Sequence, residues 1–179
     1  GGDRVSVKNL VKTGEEIHDY EMTPADKEAV IKSKLFIYNG LNLESWAKDL
    51  IATIPSGVTV LNASDQVTTI LSQDKNEPGI DPHIWLSPVN AMQMMKNIAA
   101  ALIAVDPDSQ SVYEANLADQ LTKMQALNQR YIDQLQNRVS NDLVTTHEAF
   151  GYLAHAYGLN QVPIEGIYGE SEPDPQTLK

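Results

Sequence analysis

Apolar residues along this chain come in short blocks separated by polar stretches that carry glycine and proline, and the period changes from block to block. VSVKNLV (5–11) puts apolar residues at 5, 7, 10 and 11 and reads as a strand, with a polar stretch containing Gly14 after it. TPADKEAVIKS (23–33) opens with Thr23 as N-cap, Pro24 at the first helical position and Asp26 in the first turn, so a helix is predicted. LFIYNG (35–40) is a short buried strand closed by Gly40. LESWAKDLIATI (43–54) is a helix stopped by Pro55 and Gly57, and VTVLNA (58–63) is the next strand. Strand, helix and strand at this spacing imply crossover connections and a parallel sheet flanked by helices. The predicted class is α/β.

LSQDKNEPGIDP (71–82) is polar, with two prolines and a glycine, and reads as a loop. SPVNAMQMMKNIAAALIAVD (87–106) then forms a helix, with Ser87 as N-cap, Pro88 at its first position, and Met92, Met94 and Met95 as packing residues rather than a soft-metal site. Between Ser111 and Val139 there is no glycine or proline, and Leu117, Leu121, Met124, Tyr131 and Leu135 recur by three, four and seven. That predicts a helix of roughly 40 Å, long enough to be a rod joining two lobes. DLVTT (142–146) restarts the alternation as a strand. EAFGYLAHAYGL (148–159) follows as a helix with Gly158 as its stop, and QVPIEGI (161–167) as a further strand before the acidic GESEPDPQTLK. A sheet of one or two strands cannot bury both faces, so residues after about 140 are expected to be the start of a lobe.

Charge and composition narrow the function classes. With 24 acidic and 13 basic residues the net charge is −11, which suits a cation or a basic partner and argues against nucleic acid. No cysteine is present, so disulfides and thiolate metal sites are excluded. No run approaches the ~20 apolar residues of a membrane helix. Any export signal or lipid-bearing cysteine is expected upstream of Gly1.

The histidines carry the candidate chemistry. His18 falls in a turn between a strand and a helix, His83 in the stiffened DPHIWLSP turn before a helix, and His147 directly after a strand. In open α/β sheets ligands gather beyond the carboxyl ends of the strands, so these three could converge although far apart in sequence. Three imidazoles without cysteine point to a borderline divalent metal such as zinc. The fourth, His155, lies within a helix and reads as a surface or packing residue. His83 taken alone could equally be a core histidine bonded to a backbone carbonyl. A hydrolytic zinc site also fits three histidines and a water, with Glu148 as base or, instead, as a first-turn helix acid.

The blocks IHDYEMTP, YNGLNLE, DPHIWLSP and HEAFGY, in that order, resemble the metal-binding solute-binding proteins of bacterial ABC importers for zinc and manganese, over nearly the whole chain. The resemblance implies two α/β lobes joined by one long rigid helix: here residues 1–108, with the family's first strand and helix missing, a linker helix over 109–140, and the start of a second lobe over 141–179. It implies His18, His83 and His147 as metal ligands, no catalytic residues, and a fourth ligand, an aspartate, without counterpart here. The implied function is high-affinity extracytoplasmic binding of zinc for delivery to a membrane permease, in the periplasm or anchored by lipid, by a protein monomeric when complete. Manganese or iron is the alternative. Residues 64–80 lack the histidines of zinc-specific relatives, whereas His147 stands where relatives selecting manganese or iron commonly carry glutamate.

Overall fold

The computed structural model describes residues 1–18, 20–73, 78–164 and 167, and the chain divides into two compact units. The first comprises Gly1–Asp65 with Met94–Leu121, and the second Gln66–Gln93 with Thr122–Lys179. Elements follow in the order α1 (Pro24–Ile31), β1 (Leu35–Tyr38), α2 (Ala47–Ile51), β2 (Thr59–Asn62), α3 (Pro88–Val105), α4 (Gln110–Leu135), β3 (Asp142–Thr145), α5 (Gly151–Tyr157) and β4 (Asn160–Pro163). Among the described residues the two sheets are parallel pairs, as the alternation predicts.

In the first unit, α1 starts where the sequence places it. Thr23 accepts from the Asp26 backbone N–H while the Asp26 carboxylate accepts from the Thr23 N–H, a reciprocal cap that satisfies two otherwise orphaned donors. β1 and β2 pair in register from Leu35 opposite Thr59 to Tyr38 opposite Asn62. Val30, Phe36, Leu50 and Val58 form the core beside them, with Leu10, Met22 and Trp46 packed against it. Each fully buried side chain of this kind contributes roughly 1.5–3 kcal/mol. Asn97 on α3 donates to the carbonyls of Ala63 and Asp65 and so fixes the chain leaving β2.

Two expectations for this unit are corrected. Residues 5–11 form no strand: Val7 is 85 % exposed, and the sheet of β1 has only β2 as a partner among the described residues. Alternation without a hydrogen-bonding neighbour does not make a strand, and Leu10 goes to the core as a loop residue. The helix read over 43–54 shrinks to α2, because Glu44 bends back to accept from the backbone N–H groups of Asn39 (2.7 Å) and Gly40 (3.1 Å). Gly40, Leu41 and Asn42 all take positive φ in that turn, and a Cβ on Gly40 would lie 2.1 Å from Asn62 Oδ1.

In the second unit β3 and β4 pair from Asp142 opposite Asn160 to Thr145 opposite Pro163, and α5 connects them. α5 ends at Gly158 in the left-handed conformation, φ 65°, as predicted. Arg138 donates to the carbonyls of Leu135 and Gly158, tying the last turn of α4 to the end of α5. The loop expected over 71–82 is closed by a bridge between Leu71 and Ile80, and its residues 74–77 lie outside the described residues. So do 165, 166 and 168–179, which include the end of the strand predicted over 161–167 and the whole GESEPDPQTLK segment. α4 itself runs for 26 residues, with Leu117, Leu121, Met124, Tyr131 and Leu135 on its partly buried stripe. No helix among the described residues is long and apolar enough to cross a membrane.

Candidate metal centre

His83 is placed by the chain on either side of it. Pro82 fixes the preceding φ, and the short 3-10 turn Ile84–Leu86 starts immediately after His83, with Ile84 fully buried. Asp81 Oδ1 accepts from the His83 backbone N–H at 2.9 Å and from the imidazole Nδ1 at 2.8 Å. Both residues are 2 % exposed. A carboxylate can only accept here, so Nδ1 carries the proton and Nε2 presents a lone pair. Trp85 packs on the imidazole with ring centroids 5.4 Å apart.

Asp81 is in turn held from its own backbone. Its N–H donates to the Ile70 carbonyl at 3.0 Å, and its carbonyl accepts from the Tyr152 hydroxyl at 2.7 Å. Burial pushes the Tyr152 phenol up, against the hydrogen bond it accepts from the Ile70 N–H, and Tyr152 stays a donor. Gly151 opens α5 directly against this carboxylate: a Cβ there would lie 2.7 Å from Asp81 Oδ2.

His147 follows β3, and its backbone carbonyl is a hub. It accepts from the Ala149 N–H at 2.9 Å, the Thr145 hydroxyl at 2.8 Å and the Gln161 amide at 3.2 Å. Gln161, buried on β4, also donates to Thr145 Oγ1. The imidazole so positioned approaches His83 edge to face, Nε2 to Nε2 at 3.1 Å. Two nitrogens bound to one zinc at ~2.0–2.1 Å, at a tetrahedral angle, would lie about 3.3 Å apart. The 3.1 Å separation is that of a hydrogen bond in which the His83 Nε2 lone pair accepts from His147 Nε2–H, and it is close to the spacing of two ligands of one ion.

Glu148 corrects another expectation. It lies before α5 and outside its first turn, because the helix begins only at Gly151. Its buried carboxylate accepts from the Gln73 N–H at 2.7 Å and the Ser72 hydroxyl at 3.3 Å, so it anchors the loop that leads toward His83. His155 stands exposed on α5.

In the first unit His18 sits in the turn ahead of α1, its side chain 6 % exposed and its Nε2 3.9 Å from Glu16 Oε1. The turn returns to α1 through Tyr20, whose hydroxyl donates to Asp26 at 2.9 Å and whose ring packs edge-on against Trp46. Burial first, and then this hydrogen bond, pushes the Tyr20 phenol up to about 12.

Sequence reasoning missed the supporting residues Asp81, Gly151, Tyr152 and Gln161. For Asp81 a signal existed, an acid two residues before a ligand candidate across a proline. For Tyr152 and Gln161 none did, since their partners lie far away in sequence.

Similarity to known proteins extends over the whole chain. The family described as zinc-uptake complex component A, periplasmic, matches residues 1–179. The high-affinity zinc uptake system protein ZnuA of Bacillus subtilis is 35% identical over 188 residues, which cover 98% of this chain and 59% of that protein. The chain thus spans a little under two thirds of that relative's length. Among solved structures, the Zn(II)-bound ZnuA-like domain of Streptococcus pneumoniae AdcA superposes with a TM-score of 0.83 at 34% identity, covering 99% of this chain and 65% of that one. A Mn-bound periplasmic metal binding protein from Candidatus Liberibacter asiaticus, solved as a serine-to-alanine mutant, gives a TM-score of 0.82 at 28% identity, covering 98% and 66%.

Proposed function

We propose, from the premise that this chain belongs to the periplasmic zinc-uptake complex component A family, that it binds zinc outside the cytoplasm and delivers it to the membrane permease of an ABC importer. His18, His83 and His147 are the ligands in this reading. The observation that carries it is the His83–His147 pair, two imidazoles whose Nε2 atoms lie 3.1 Å apart. His18 joins them through its IHDYEMTP block, which resembles the ligand-bearing block of the family.

The donor set supports zinc over harder ions: neutral imidazoles match its borderline character, and manganese favours carboxylate oxygen. Manganese is the second reading, favoured by the Mn-bound relative. No catalytic step belongs to the proposal, and Glu148, the base a hydrolase would need, is already engaged by Gln73 and Ser72. A carrier must also release its ion, so ligands supplied by two lobes that shift relative to one another suit the task. The lobes expected from the sequence, 1–108 and 141–179 joined by a helix over 109–140, divide the chain differently from the two compact units, which group Gln66–Gln93 with Thr122–Lys179.

Calorimetric titration with zinc and manganese, on the parent and on His18→Ala, His83→Ala and His147→Ala, tests the reading. Each substitution should weaken zinc binding by at least about tenfold, ~1.4 kcal/mol. Parent-like zinc affinity in all three variants would overturn it.

A further inference from the structure

We infer that Asp81 is a positioning residue for metal capture, holding His83 in the Nδ1–H tautomer so that its Nε2 lone pair is ready for the ion before the ion arrives. The inference rests on the proposed metal-binding reading. It draws on three observations within the second unit.

The carboxylate and the imidazole are both buried, and Oδ1 accepts two hydrogen bonds from His83, one from the backbone and one from Nδ1. The first of these locks the distance between Asp81 and the His83 main chain, so the second constrains the ring. A ring turned over would bring Nε2 to the carboxylate and lose the lone pair facing His147. The cradle is also made for a carboxylate: Gly151 leaves the space that Asp81 Oδ2 occupies, and a methyl group there would intrude to 2.7 Å. Finally, Tyr152 donates to the Asp81 carbonyl, so α5, the element that follows His147, holds the residue that orients His83. One scaffold thus sets both imidazoles.

Loss of a carboxylate partner behind a ligating imidazole typically costs about 10–100-fold in affinity. Asp81 is therefore expected to add affinity as well as geometry, through a residue that never touches the ion.

Imidazole nitrogen-15 spectra of the metal-free protein, together with zinc titrations, test this. The parent should show His83 as the Nδ1–H tautomer. Asp81→Ala should shift His83 toward Nε2–H and weaken zinc binding about 10–100-fold. Asp81→Asn, which keeps an acceptor oxygen but not the charge, should retain Nδ1–H with a smaller loss, and Gly151→Ala should move in the direction of Asp81→Ala by displacing the carboxylate. Retention of the Nδ1–H signature in Asp81→Ala, or parent-like zinc affinity in it, overturns the inference. Should Asp81→Ala not fold, parent-like affinity in the isosteric Asp81→Asn overturns it instead. His83→Ala separates the two levels: unchanged zinc affinity there removes His83 from the proposed ligand set and with it the inference, whereas the tautomer measurement needs no metal.

Discussion

His83 and His147 present their Nε2 atoms to one another at 3.1 Å across 64 positions of sequence. One ring is set by the carboxylate two residues before it. The other is set by a carbonyl that three donors converge on. Neither ring is placed by its own rotamer preference alone, which is what a site that must meet an ion with little reorganisation requires.

His147 is expected to set the metal preference. Glutamate in its place exchanges a borderline nitrogen for a hard oxygen and adds charge, both of which favour manganese. In competition titrations His147→Glu should narrow the zinc-over-manganese ratio by about tenfold, ~1.4 kcal/mol, and His147→Ala should weaken both ions. The exposed His155→Ala should do neither. An unchanged ratio in His147→Glu would show that His147 is not a ligand.

Acid should release the ion. Coordinating imidazoles must be neutral, and the ordinary histidine value is ~6.5, so protons compete increasingly as pH falls below about that point. The slope of log affinity against pH should approach the number of histidines that bind. Flat zinc affinity between about pH 7.5 and 5.5 would be incompatible with a histidine-dominated site.

The cap of α1 gives a stability prediction that is independent of metal. Thr23→Ala removes the side-chain acceptor for the Asp26 N–H and should cost about 1 kcal/mol in urea unfolding. Hydrogen bonds from Thr23, then Lys8 and Tyr20, hold the Asp26 carboxyl well below the usual carboxylate range. A depressed folded value means that this stabilisation is fully present above the unfolded value of ~3.9 and is lost as pH falls toward the folded one. Asp26→Asn should therefore be less stable than the parent at neutral pH, with the gap closing below about pH 4. A gap that stays constant into acid would exclude this linkage.

Gly40 should not tolerate alanine. Its φ of +87° and the 2.1 Å approach of a built Cβ to Asn62 Oδ1 combine backbone strain with a steric overlap at the end of β1. Gly40→Ala should lose about 2 kcal/mol or more, from positive φ and overpacking together. Gly57→Ala, where a Cβ meets nothing, should change stability by less than about 0.5 kcal/mol.

The last turn of α4 is held by Arg138, which spans the carbonyls of Leu135 and Gly158. Arg138→Ala should destabilise by about 1–2 kcal/mol, and amide exchange should accelerate first in α5 and the last turn of α4. Uniform acceleration throughout the chain would argue against this local role.

What the sequence by itself determined are the features set by near neighbours. The Thr23–Pro24–Asp26 start of α1, the Gly158 stop of α5, the stripe from Leu117 to Leu135 and the parallel α/β alternation each follow from residues a few positions apart, where sterics and local hydrogen bonds act directly. The turn positions of His18, His83 and His147 belong to the same class. Tertiary structure decided the rest. Residues 5–11 have strand-like alternation but no partner to bond, and Glu44 leaves its expected helix to satisfy Asn39 and Gly40. Glu148 is spent on Ser72 and Gln73, 76 and 75 positions away. Asp81 acquires Tyr152 and the space beside Gly151 only when α5 packs on the His83 turn. Those contacts depend on which segments meet in space, and local propensity carries no information about that meeting.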